Sequence, residues 1–79
     1  MSRRYGEGIA DDMLDELGRA MSKFGPMASA HEGYAILLEE LDELWDEIKL
    51  KDRDKARMRA EAIQVGAMAI RFIKDLELE

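Results

Sequence analysis

Seventy-nine residues without a cysteine leave room for one small domain and exclude disulfides and thiolate-bound zinc as sources of stability. The formal net charge of −6 argues against a nonspecific nucleic-acid binder, because neutralising phosphates needs surplus Lys and Arg. With 47% apolar and 38% charged residues, the composition fits amphipathic helices with charged outer faces.

The first expected helix runs from about Ile9 to Lys23, with Ile9, Met13, Leu14, Leu17, Ala20, Met21 and Phe24 at helical spacing. Ahead of it, Ser2-Arg3-Arg4 is basic but precedes no apolar run, so no signal peptide is expected. Gly25-Pro26 ends the helix. A second helix extends to Leu50, and two starts compete for it. Pro26 suits a first helical position, while Ser29 followed by Glu32 reads as a capping box; the main helix is expected after Ser29, with an irregular turn before it. Ala30, Tyr34, Leu37, Leu41, Leu44 and Ile48 alternate four and three apart as a coiled-coil-like seam, widened by Leu38 and Trp45.

Lys51-Asp52-Arg53-Asp54 is a short polar turn in which Asp52 or Asp54 can cap the third helix, about Asp54 to Leu76. So short a connection makes the second and third helices an antiparallel hairpin. Between Ala62 and Ile73 only Gln64 and Arg71 interrupt an apolar or glycine run. A helix apolar nearly all round needs cover on most sides. Gly66 is expected to permit close helix approach. A chain of this size buries only about 60–65% of its unfolded surface, so self-association is the expected remedy. The expected fold is therefore all-α and a single domain over residues 1–79. An N-terminal helix (1–25) precedes a core hairpin (26–79), and a dimer or tetramer completes a four-helix-type bundle. Nothing approaches the roughly eighteen consecutive apolar residues of a membrane span, so no membrane partner and a cytoplasmic location are expected.

Glu39-Glu40-Leu41-Asp42-Glu43 concentrates acids far beyond what solubility requires. The bland alternative is a solvated face continuing through Asp46 and Glu47. Against it, no Lys or Arg is interspersed before Lys49, and Glu40, Glu43 and Glu47 run beside the apolar seam. Glu39, Glu40 and Glu43 can share a face that Glu61 and Gln64 approach from the antiparallel neighbour. Clustered carboxylates repel unless a cation lies between them, and a hard, oxygen-seeking one such as Mg²⁺ or Mn²⁺ is the natural candidate. Glu61, Gln64, Arg71 and Lys74 form one polar stripe, acceptors at one end and cations at the other, complementary to a metal–polyphosphate ligand. Otherwise Arg71 pairs with a carboxylate and Lys74 is simply exposed. Tyr34 and Trp45 are expected in the core rather than against a nucleobase. His31, without an HExxH, is no zinc ligand.

Glu39-Glu40-x-x-Glu43 followed by Glu61-x-x-Gln64 resembles the EExxE and ExxD motifs of the MazG-like all-α nucleoside triphosphate pyrophosphatases. The likeness spans about His31 to Leu76. It implies Mg²⁺-dependent cleavage of a nucleoside triphosphate to the monophosphate and pyrophosphate. Glu40, Glu43 and Glu61 would be metal ligands with Gln64 in the fourth slot, Glu39 would be an auxiliary ligand or orient water, and Glu39, Glu40, Glu43 and Glu61 together would form the catalytic set. Arg71 and Lys74 are the expected contacts for the phosphates of the nucleoside triphosphate. Gln64 stands where the family pattern has Asp; glutamine offers an oxygen but neither charge nor basicity. The alternative expectation is a non-catalytic helical oligomeric interaction protein that retains the fold.

Overall fold

A computed structural model describes residues 7–79, so the basic Ser2-Arg3-Arg4 start lies outside the described residues. Among these residues the chain is all-helical: α1 spans Glu7–Lys23, α2 Ala30–Ile48 and α3 Lys55–Asp75, with no strand. The punctuation follows local chemistry. At α2 the Ser29 hydroxyl accepts from the Glu32 backbone N–H at 3.1 Å, as a capping Ser does. At α3 the Asp54 carboxylate accepts from the N–H groups of Ala56 and Arg57 at 2.8 and 3.2 Å. Between them, Arg53 donates back to the Ile48 carbonyl at 2.7 Å and closes the tight turn.

The irregular segment before α2 is held by α3. Met27 is buried, and its N–H donates to Asp75 at 3.0 Å. Arg71, one turn earlier on α3, donates to the Gly25 carbonyl at 2.5 Å. These two side chains, 3.3 Å apart as an ion pair, clamp the α1–α2 connection to the C-terminal half of α3.

α3 is the spine. Both α1 and α2 pack along it, while among the described residues the backbones of α1 and α2 do not approach each other. Leu17 and Ala20 of α1 meet Ala67 and Met68 of α3, with Ile36 and Leu37 of α2 and Ile70 packed around them. Two glycines allow the close approaches. A Cβ on Gly33 would fall 2.5 Å from the Phe72 ring, and one on Gly66 would fall 2.5 Å from the Met13 methyl. The apolar stretch of α3 is therefore covered from two sides within the chain, by α2 and by Met13, Leu17 and Ala20 of α1, while Ala62, Ala69 and Ile73 remain exposed.

The expected seam of α2 is rotated. Leu37, Leu44 and Ile48 turn toward α3 as anticipated, but Tyr34 and Leu41 face outward, 65% and 47% exposed. Leu38 and Trp45 stand beside them, also exposed, so Tyr34 and Trp45 are not core residues of the single chain. The packing sets this rotation: Gly33 lies against Phe72, and Ile36 and Leu37 rest on the Leu17–Ala20–Ala67–Met68 cluster, so α3 takes that side of the wide apolar face.

Candidate metal centre

Three carboxylates from two helices converge. Oxygens of Glu40 and Glu43 on α2 and of Glu61 on α3 all lie within 4.8 Å of one another. The spacing does this: Glu40 and Glu43 are three apart and share a helix face, and the antiparallel α3 delivers Glu61 between them.

Their surroundings are poor in compensation. One oxygen of Glu40 and one of Glu61 are shut off from solvent without a hydrogen-bond partner. Burial, then the charges of Glu43, Glu61 and Glu39, push the Glu40 carboxyl up to about 7. Burial and the neighbouring Glu43 and Glu47 likewise raise Glu61, with Arg57 opposing them. One Glu47 oxygen is likewise shielded without a hydrogen bond, but it lies 3.1 Å from Arg57 in an ion pair. Orphaned carboxylate oxygens at this mutual distance fit a hard divalent cation, which supplies the missing charge and accepts oxygen ligands.

Beside the carboxylates runs a groove. The backbones of α1 and α2 stay apart and form its walls, and α3 forms its floor. Its larger section, about 530 Å³, lies between Phe24 at the end of α1 and Ile36, Glu39 and Glu40 on α2, over Met68 and Arg71. A smaller section of about 300 Å³ continues between Arg19 and Lys23 on α1 and Glu40. Phe24, Glu40 and Met68 line both sections. The groove is thus acidic on the α2 side, while the α1 side carries Lys23 and the Arg19–Glu16 ion pair.

Other expected site residues are distributed around this arrangement. Glu39 is exposed on the groove wall. Gln64 lies on the floor, but its amide donates to Glu16 of α1 at 2.5 Å and stands outside the carboxylate triad. Glu16 also takes a hydrogen bond from Arg19, which, against the effect of burial and with help from Gln64, holds its carboxyl below the usual range. Arg71 reaches the groove while buried to 4% exposure and engaged with Gly25 and Asp75. Lys74 is exposed outside the groove lining.

Sequence reasoning missed the α1 contribution. Arg19, Lys23 and Phe24 carry no motif, and their approach to Glu40 depends on how α1 docks. The one available signal was the Lys23-Phe24 pair at the helix end, where Lys23 now sits over the Phe24 ring at 5.5 Å and Arg71 approaches the same ring at 6.0 Å. Among the described residues no helix is long and apolar enough to cross a membrane. No protein-family model matches the chain, and neither a curated protein nor a solved structure matches it.

Proposed function

We propose that the chain is a divalent-cation-dependent nucleoside triphosphate pyrophosphohydrolase, with Glu40, Glu43 and Glu61 holding Mg²⁺ or Mn²⁺. The observation that carries this is the three-carboxylate convergence with its two orphaned, solvent-shielded oxygens. A surface acid patch would spread its charges; this one gathers the exposed Glu43 with the half-buried Glu40 and Glu61.

The groove supports a polyphosphate ligand in particular. A bound cation would neutralise phosphate charge and favour attack by water. The chain's own groups would do the rest. Lys23 offers a mobile cation on the α1 wall beside the Glu16-paired Arg19, and Arg71 offers a fixed one at the floor. Phe24 presents an exposed ring against which a base can lie. Glu39, exposed and close to Glu40 in sequence, is placed to take the proton of the attacking water. Water adds to one phosphorus, the bridging oxygen leaves with the pyrophosphate, and the monophosphate remains.

A second reading has its own observation. Gln64 is hydrogen-bonded to Glu16 rather than turned to the carboxylates, so the fourth position of the resembling motif serves helix docking here. On that reading the chain binds a cation but does not hydrolyse nucleotides.

The deciding experiment presents the full chain with a panel of canonical and modified nucleoside triphosphates and Mg²⁺, and detects pyrophosphate. Release that disappears in Glu40→Gln and Glu61→Gln supports the enzyme. Calorimetric Mn²⁺ binding by the wild type with no pyrophosphate from any nucleotide supports the second reading. Equal Mn²⁺ heats from wild type and a Glu40→Gln, Glu43→Gln double variant would eliminate the metal centre altogether.

A further inference from the structure

The larger section of the groove suits a flat, neutral guest. Phe24 offers a ring that is 57% exposed, with apolar surface from Pro26, Ile36 and Met68 in the same section of about 530 Å³. The charges there disfavour a second anion. Glu32, Glu39 and Glu40 line the section, and its one cation, Arg71, is already paired with Asp75 at 3.3 Å.

Arg71 nevertheless has N–H groups to offer. A guanidinium carries five of them. Nε faces Asp75, Nη2 donates to the Gly25 carbonyl at 2.5 Å, and Nη1 meets only the Met68 sulfur at 3.8 Å, a weak acceptor. The side chain is 4% exposed, and a buried donor without a good acceptor is costly, so an acceptor entering the groove would satisfy it. Glu32 on the α2 wall is the counterpart. The Ser29 hydroxyl makes its half of the capping box, but among the described residues no hydrogen bond or ion pair engages the Glu32 carboxylate. One section thus brings together a stacking ring, a donor on the floor and an acceptor on the wall.

We propose that this section is a guanine subsite: Phe24 stacks on the base, Arg71 donates to O6 and N7, and Glu32 accepts from N1–H and the N2 amino group. The inference rests on the nucleotide reading of the groove and names the nucleotide. Guanine presents O6 and N7 as adjacent acceptors, the pair that an Arg fork matches. Adenine sets its N6 amino donor beside N7 and would face Arg71 donor to donor, while pyrimidines have no N7. An ionised carboxylate only accepts, which suits the two donors on the other edge of guanine. The spacing agrees. Arg71 is ten residues from Glu61 along α3, about 15 Å, and Glu32 is eight from Glu40 along α2, about 12 Å. Phosphates drawn to a cation at the carboxylates therefore leave the base beside Phe24, Glu32 and Arg71.

Because Arg71 also clamps the α1–α2 connection, the test removes atoms from the ligand rather than from this side chain. Calorimetry on the full chain with Mg²⁺ would compare the α,β-methylene triphosphates of guanine, 7-deazaguanine, hypoxanthine and adenine. The guanine analogue should bind roughly tenfold more tightly than the adenine and 7-deazaguanine ones, the worth of one good bidentate pair. Glu32→Gln, at an exposed position, should shrink the preference for guanine over hypoxanthine and leave the preference over 7-deazaguanine in place. Guanosine alone, without metal or phosphate, should shift the NMR amide signals of Gly25 and Arg71. Equal affinity for guanine and 7-deazaguanine, or adenine bound as tightly as guanine, overturns the subsite and leaves the hydrolase reading standing. Guanosine moving those amides while no triphosphate binds with Mg²⁺ keeps the subsite and removes the metal-dependent reading. Silence from both sets of probes removes both.

Discussion

Glu40 concentrates the chemistry of the molecule in one ionisation. Its carboxyl has an ordinary value of 4.5 when the chain is unfolded and about 7 when folded, chiefly through burial. Between those values the native state holds the proton that the unfolded state has lost, so this group makes stability fall as pH rises through that window. The effect is on the order of 1–2 kcal/mol once solvent screening is allowed for. In the absence of metal, thermal melts of the wild type should therefore lose stability relative to Glu40→Gln between about pH 5 and pH 8. Mn²⁺ should restore the wild type at the upper end and leave the variant unmoved. A wild type gaining on Glu40→Gln as pH rises without metal would contradict the burial described for this side chain. Arg71 makes a contrasting prediction. It clamps Gly25 and pairs with Asp75, whose carboxylate also holds Met27. Replacing it in Arg71→Met leaves a buried carboxylate unpaired, at a cost of about 3–5 kcal/mol by urea denaturation. Exposed Lys74→Met should change stability by less than about 0.5 kcal/mol. Equal behaviour of the two variants would mean that the clamp holds nothing.

The helices themselves offer a paired test at Gly33 and Gly66. In either position alanine gains about 1 kcal/mol of helix propensity over glycine. At Gly33 the new methyl meets the Phe72 ring and the buried Met27 sulfur, neither free to withdraw, so Gly33→Ala should destabilise by about 1–2 kcal/mol net. At Gly66 it meets only the flexible end of Met13, so Gly66→Ala should lie near neutral. Chemical denaturation of both variants checks this, and a reversed order would show that Met13, not Phe72, is the fixed neighbour. The element boundaries were legible for the same local reasons. Ser29 and Asp54 satisfy the free N–H groups of their helix starts wherever the chain goes next, so α2 and α3 begin where the sequence indicates. The convergence of Glu40, Glu43 and Glu61 was legible too, since helical spacing and a short turn bring them together. What escaped was rotation. Tyr34, Leu37, Leu38, Leu41 and Leu44 give α2 an apolar face wider than one neighbour can cover, and sequence alone does not say which half α3 takes. Gln64 escaped for a related reason: its partner Glu16 lies 48 residues away on a helix whose docking no local signal fixes.

At the scale of the whole molecule, α1 and α2 share α3 as a neighbour, and among the described residues their backbones do not approach each other. The carboxylates belong wholly to α2 and α3, while Arg19, Lys23 and Phe24 belong to the end of α1. What holds α1 is Met13, Leu17 and Ala20 against α3, the Gln64–Glu16 hydrogen bond and an exposed Arg59–Asp12 ion pair. Such a helix can detach as a separate cooperative unit without unzipping the hairpin. Amide hydrogen exchange should then show α1 deprotecting at a lower free energy than α3, and Leu17→Ala should widen that difference. Uniform protection across α1 and α3 would mean that the chain opens only as a whole. If α1 does swing away on its own, it works as a hinged flap: the carboxylate half of the groove stays assembled while the half bearing Lys23 and Phe24 comes and goes. A polyphosphate bridging the two walls would then latch the flap shut, and its departure would release it.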